Sequence, residues 1–411
     1  MRDGFLKCFL YKTKIMPVVS HCLDKTYNYI KRIKEKPDRW YFRFLPINKR
    51  KIVFDSYFGK GYCDNPKAIA DEIIRQNLEY KLVWLTNNYC NMPPKICQVK
   101  YGSPEAMREL ATAKMWIFNA RGVIHPKKRN KQVYLHTWHA GYVVKLIEKE
   151  AEDRLNDSYL SVAKLDGSIT DAVVSSSSFF TSIYKNSFWL RENTEILEIG
   201  TPKNDVIFDR KKKQMLERSI RARYSIDANK KIVLYFPTFR DDGKLDHYSL
   251  NYSKIVETLN KKNGGEYIVL VRLHPNLAKY ALSRSFIEQL GNDAINVSDY
   301  PEACELFGMA ESLISDYSGV LIAFALQKKP IYIYAPDLDE YIKERGLNRL
   351  YDIIPCKKCV SNEELIDEIR NFDEVSYQKQ LNEFFDIIQP FDYGDASAKT
   401  VDWIKKKLGL V

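Results

Sequence analysis

The sequence predicts an α/β fold of two doubly wound parallel sheets facing each other across a cleft. Three observations carry this. The 411 residues exceed one compact domain and suit two of about 150–200 residues. From residue 51 onward, short runs rich in β-branched and aromatic residues alternate with longer, charged, helix-like stretches. The alternation pauses once, in RKKKQMLERSIRARY (210–224), and then restarts. This divides the chain into an N-terminal segment (1–50), a first unit (51–208) and a second unit (209–411).

In the first unit, KIVFDS (51–56), KLVWLT (81–86), MWIFNA (115–120), QVYLHTW (132–138), AVVSSS (172–177) and EILEIG (195–200) read as buried strands. Between them PKAIADEIIRQN (66–77) and SPEAMRELATA (103–113) read as helices, the second capped by Ser103. The second unit continues with KIVLYFPT (231–238), YIVLVRLHP (267–275), INVSD (295–299), SLISD (312–316) and PIYIY (330–334). Strict alternation implies parallel sheets covered on both faces. The closing stretch ASAKTVDWIKKKLG (396–409) reads as a helix serving as lid or strap.

The net charge of +11 is unevenly placed: residues 1–51 hold 14 basic and 4 acidic residues, which leaves the remainder close to neutral. A nucleic-acid enzyme would spread basic residues along its groove, so no nucleic-acid partner is expected. The basic segment carries Leu23, Tyr27 and Ile30 at helical spacing up to Pro37, then the aromatic run RWYFRFLP (39–46). Attraction to an anionic surface follows, most simply the inner face of a bacterial membrane, with the protein peripheral because no run of about 20 apolar residues exists. The eight scattered cysteines read as reduced thiols of a cytoplasmic protein. The pair Cys356 and Cys359 lacks a second ligand pair, and neither a metal nor a resident cofactor is expected.

Ligands of such sheets bind beyond the carboxyl ends of the strands. His139 follows the 132–138 strand, where a neutral imidazole could deprotonate an alcohol and Gly141 could let substrate approach. His136, inside the strand, reads as structural. Gly200 and Pro202 follow the 195–200 strand. In the second unit the strand ends offer Thr238, Arg240 and Asp241, then Arg272 and His274, then Ser315, Asp316, Ser318 and Gly319. The last group, ahead of an apolar helix, reads as an anion cradle, and Arg272 with His274 as a phosphate clamp. No GxxxxGK[ST] occurs, which excludes a P-loop nucleotidase.

Assembled, the blocks TWHAG (137–141), SSSSFFTSIYKNSF (175–188), IGTPKNDVI (199–207), VLYFPTFRDD (233–242), VRLHP (271–275) and the run from Leu306 to Gly346 resemble the CDP-glycerol:glycerophosphotransferase family, which includes teichoic-acid and capsule-assembly enzymes. The resemblance implies the GT-B arrangement of two Rossmann-like domains. It also implies transfer of an alditol phosphate from CDP-glycerol or CDP-ribitol to a hydroxyl of a lipid-linked or polymeric saccharide acceptor, with release of CMP. His139 would be the base. Arg272 and His274 would hold the pyrophosphate over Ser315, Ser318 and Gly319, with Asp316, Arg240 and Asp241 lining the cleft. The family's His-Gly-Thr-Pro-Leu-Lys run is replaced here by His139 through Lys145, keeping only its histidine and lysine. A GT-B glycosyltransferase using a nucleotide sugar, or an inactive scaffold, are the readings a panel of CDP-alditols and UDP-sugars would separate.

Overall fold

A computed structural model describes residue 42 and residues 44–240 and 244–409. Of the basic N-terminal segment, therefore, residues 1–41 and 43 lie outside the described residues, as does Asp241. Phe42 is buried in the core beside Val53, Val83 and Trp116, while Phe44 is exposed.

Two all-parallel sheets form the framework. The first has seven strands in the order β3-β2-β1-β4-β5-β6-β7: β1 (Asn48–Asp55), β2 (Lys81–Thr86), β3 (Ile96–Lys100), β4 (Ala113–Phe118), β5 (Val133–His136), β6 (Ala172–Ser175) and β7 (Glu195–Glu198). The second has six in the order β10-β9-β8-β11-β12-β13: β8 (Lys230–Phe236), β9 (Glu266–Val271), β10 (Ala294–Asn296), β11 (Ala310–Ser315), β12 (Ile331–Tyr334) and β13 (Lys358–Cys359). Both orders reverse direction once, between β1 and β4 and between β8 and β11. The loops diverge at these points and leave a crevice over the strand ends. The near-continuous apolar runs are explained by burial on both faces: Ile52, Val53 and Phe54 are all fully buried.

Eleven of these strands coincide with the apolar runs read from the sequence. The strand β3 escapes such a reading because it is an edge strand with half its residues turned to solvent, and β13 because it is two residues long. The sequence division also assigns everything after 209 to one unit, but the chain crosses back at its end. Phe391 N donates to Ser176 O at 2.8 Å, Ser177 bridges Pro390, and the helix Ala396–Leu408 buries Val401, Ile404 and Leu408 against Ile52, Phe54 and Trp84 of the first sheet. Asp392 clamps this crossing, accepting from Tyr142 Oη at 2.6 Å and Thr201 N at 2.9 Å.

Candidate active site

After β5 no helix opens, contrary to the strand-to-helix junction expected at His139. Residues 137–147 run instead as an extended strap into the second unit. Asn348 fastens it, donating from its side chain to Val143 O at 2.8 Å and from its backbone to Val144 O at 2.9 Å, and Lys145 pairs with Leu347. The strap begins at Trp138, whose φ of +53° is unusual for a bulky side chain. Its indole is buried between Phe188 and the ring of His139, at centroid distances of 4.8 and 4.4 Å. Packing thus fixes a backbone turn that propensity would not choose, and the turn carries His139 into the crevice.

His139 is half-buried. Its Nδ1 lies 3.3 Å from Asn119 O, which selects the Nδ1–H tautomer and leaves Nε2 with a free lone pair. Loss of solvent and the Lys203 and Arg121 cations outweigh the nearby Asp64 carboxylate and push the imidazole down to about 4. The ring is therefore neutral at pH 7. His136, three residues earlier, is fully buried at the other face of the strand, 3.7 Å from Asp166 within a cluster of Arg121, Glu148 and Tyr134, and burial holds it neutral.

Opposite stand Arg272 and His274, at the end of β9. Arg272 is held by the carbonyls of Tyr300 (3.2 Å) and Pro301 (3.2 Å), and among the described residues no carboxylate bonds its guanidinium. His274 is exposed to the crevice with its ring against Phe239; its Nδ1 accepts from Asn276 N at 3.2 Å, which leaves Nε2–H to donate outward. Desolvation by the wall, together with Lys145, Lys60 and Arg272, brings it down to about 4. Burial likewise lowers Lys145 to about 8, with Arg345 and Arg240 adding to the effect against Asp316, and desolvation lowers Arg272. Cations from both units thus gather around His274, whose protonation Lys145, Lys60 and Arg272 oppose. Such an assembly is stabilised by a bound polyanion.

Several residues singled out in the sequence do other work. Ser315 is fully buried and donates to Phe236 O at 2.5 Å, so its hydroxyl is not presented to a ligand. Asp316 is buried at the second switch point, accepting from Thr238 N (2.9 Å), Thr238 Oγ1 (2.6 Å) and Tyr317 N (2.6 Å). Arg240 is buried between Asp316 and Asp337, with two 2.8 Å bonds to the latter, and so braces the loops instead of lining the crevice. Glycines 141, 200 and 319 are small for packing, not for ligand approach. A Cβ on Gly141 would meet Thr201 Oγ1, one on Gly200 (φ +87°) would meet Phe391 O, and one on Gly319 would lie 1.8 Å from Tyr142 O. Pro202, buried, starts a 3₁₀ turn and its carbonyl accepts from Ser397. Ser318 remains half-buried beside the crevice, its Oγ 3.4 Å from Val320 N. Sequence reading passed over the loop after β1, where Tyr57 lies edge-on to His139 (5.8 Å) and Lys60 faces His274. The Gly59-Lys60-Gly61 triplet at a strand end was the available signal.

Residues 40–406 match the model of CDP-glycerol:poly(glycerophosphate) glycerophosphotransferases. The chain belongs to this family of transferases. A teichoic acid poly(glycerol phosphate) polymerase of Staphylococcus epidermidis is 31% identical over 88% of the chain, which spans about half (51%) of that polymerase's length. A polymerase of the same description from Bacillus spizizenii is 27% identical over 95% of this chain and 99% of its own. The solved structure of the wall teichoic acid polymerase TagF superimposes with a TM-score of 0.78 at 30% identity, covering 94% of this chain and 98% of that one. TagF has also been solved after a soak with CDPG. The fold class and the family resemblance read from the sequence both stand.

Proposed function

We propose that this family member transfers glycerol phosphate from CDP-glycerol to a hydroxyl of a teichoic-acid-type acceptor, with His139 as general base. The observation that carries the reading is the crevice between the two switch points, where a neutral imidazole whose Nε2 lone pair is free stands across from His274 and the cations Lys145, Lys60 and Arg272 around it. Arg272, Lys145 and Lys60 are suited to the pyrophosphate, and His274 Nε2–H to one of its oxygens. In the reaction the acceptor oxygen attacks the β-phosphorus and Nε2 of His139 takes its proton. The bond to the bridging oxygen breaks, and CMP leaves with its negative charge facing the cations. The donor's own charge raises the affinity of both imidazoles for a proton, so His139 becomes a better base when donor is bound.

The test compares His139→Ala and Arg272→Ala for turnover and for calorimetric donor affinity. His139→Ala is expected to lose about 10²–10⁴ in rate while keeping donor affinity, and Arg272→Ala to lose affinity. Full activity of His139→Ala rules out the base. CDP-ribitol and UDP-sugars run as parallel donors decide between glycerol phosphate and the other groups. Among the described residues no helix is long and apolar enough to cross a membrane. The basic segment read from the sequence supports peripheral binding to an anionic membrane surface; unchanged sedimentation with anionic vesicles after removal of residues 1–47 would contradict that.

A further inference from the structure

The base is carried by a strained strap, and something must hold it. Asn65 and Lys203, from two other elements, bond its backbone, and Asp64 joins them through Lys203. Asn65, fully buried at the start of the helix Asp64–Arg75, donates from Nδ2 to Trp138 O at 2.8 Å, and its Oδ1 accepts from Lys203 N at 3.1 Å. Lys203, in the turn after β7, extends Nζ to His139 O at 2.5 Å and to Asp64 Oδ2 at 2.6 Å. Asp64, at φ +64°, also accepts from Tyr57 Oη at 2.9 Å. Tyr57 N in turn donates to Asn119 Oδ1 at 2.9 Å, and Asn119 is the residue whose carbonyl fixes the His139 tautomer. The bonds to the Trp138 and His139 carbonyls come directly from this group, and the ring's partner Asn119 is linked to it through Tyr57.

We propose that Asp64 and Lys203 form the positioning pair of the phosphotransfer site, holding the His139 backbone and balancing the charge beside its ring. Neither is placed to touch substrate; both act through His139. The pair is also tied to the opposite wall. Asp64 N donates to Glu302 Oε1 at 2.8 Å, and Glu302 directly follows the Tyr300 and Pro301 carbonyls that hold Arg272. One continuous set of contacts thus runs from the cation facing the donor to the base. A merely structural ion pair would not need to span both walls and the backbone of the base.

The charged and titratable groups around His139 are Asp64, Lys203, Arg121, Tyr57 and His136. Lys203 opposes its protonation and Asp64 favours it. The inference rests on His139 being the base, so the experiment reads the ring directly as well as the reaction. His139 is followed by NMR in histidine-labelled full-length protein, assigned with His139→Ala, in Lys203→Met, Lys203→Arg and Asp64→Asn. Turnover and donor affinity are measured alongside, and thermal melts confirm folding.

Lys203→Met is expected to make His139 titrate at higher pH and to lower turnover about 10²-fold through misplacement of the base, with donor affinity kept. Lys203→Arg should restore most of both, because a guanidinium reaches the same two acceptors. Asp64→Asn should lower the pH at which His139 titrates and also slow turnover. An unmoved His139 titration in folded Lys203→Met and Asp64→Asn overturns the positioning pair. A moved titration with wild-type turnover instead leaves the pair standing and removes His139 as base.

Discussion

Gly319→Ala separates two readings of one residue. A glycine before the helix Val320–Ala325 reads in the sequence as room for a phosphate. The structure gives it φ −61°, which any residue adopts, so only space demands glycine there. That space is taken by the strap: an added Cβ would sit 1.8 Å from Tyr142 O and 2.5 Å from its carbonyl carbon. Ordinary C···O contact needs about 3.3 Å, so the strap must retreat by roughly 1.5 Å. The bonds that seat it are then broken or stretched: Asn348 to Val143 O and Val144 O, and Leu146 N to Gly346 O at 3.3 Å. At about 1 kcal/mol for each of these three bonds if the strap moves, or with overpacking of about 1–3 kcal/mol if it does not, the loss is about 3 kcal/mol. Lys145 and His139 lie on the strap, so turnover should fall by about 10²-fold as well. The assay is urea denaturation of wild type and Gly319→Ala with turnover on the same samples. Unchanged stability with weakened donor binding would refute the packing argument and restore the phosphate reading.

Arg240→Met leaves Asp316 and Asp337 facing each other without a cation in a buried site, and should cost about 3–5 kcal/mol in chemical denaturation. A substrate role for Arg240 would instead predict a folded protein of normal stability. Glu302 gives a pH effect: burial, with the Asp64 charge, raises its carboxyl to about 7. Between the usual glutamate range near 4.3 and that value, the unfolded chain releases its proton while the folded chain keeps it, so this group lowers stability as pH rises. Glu302→Gln, whose amide oxygen still accepts from Asp64 N, should melt higher than wild type at pH 8 and about equally at pH 4. The gain is at most about 4 kcal/mol, and equal melting temperatures across that range would count against the shift.

The sequence by itself determined the frame. Runs such as KIVLYF and YIVLV state their burial on two faces, and their spacing forces crossover helices, so two parallel sheets follow from local chemistry. It also pointed to where candidate site residues sit, because strand ends are legible; His139, Arg272 and His274 were proposed on that ground. Tertiary structure alone decided what those strand-end residues do. Ser315, Asp316 and Arg240 look like a site for an anion, yet Arg240 is paired with Asp316 and Asp337 and Ser315 is spent on the Phe236 carbonyl, since a buried charge or hydroxyl must be satisfied by whatever the fold brings near. Glycines 141, 200 and 319 look like room for substrate, yet each is filled by backbone or side chain arriving from 60 or more residues away, or from the opposite unit. Asp64, Lys203 and Glu302 carry no local mark, because the contacts that tie them to His139 and to one another span 64 to 238 residues. Local pattern records burial and turn chemistry; the pairing of distant polar groups is recorded only by the folded chain.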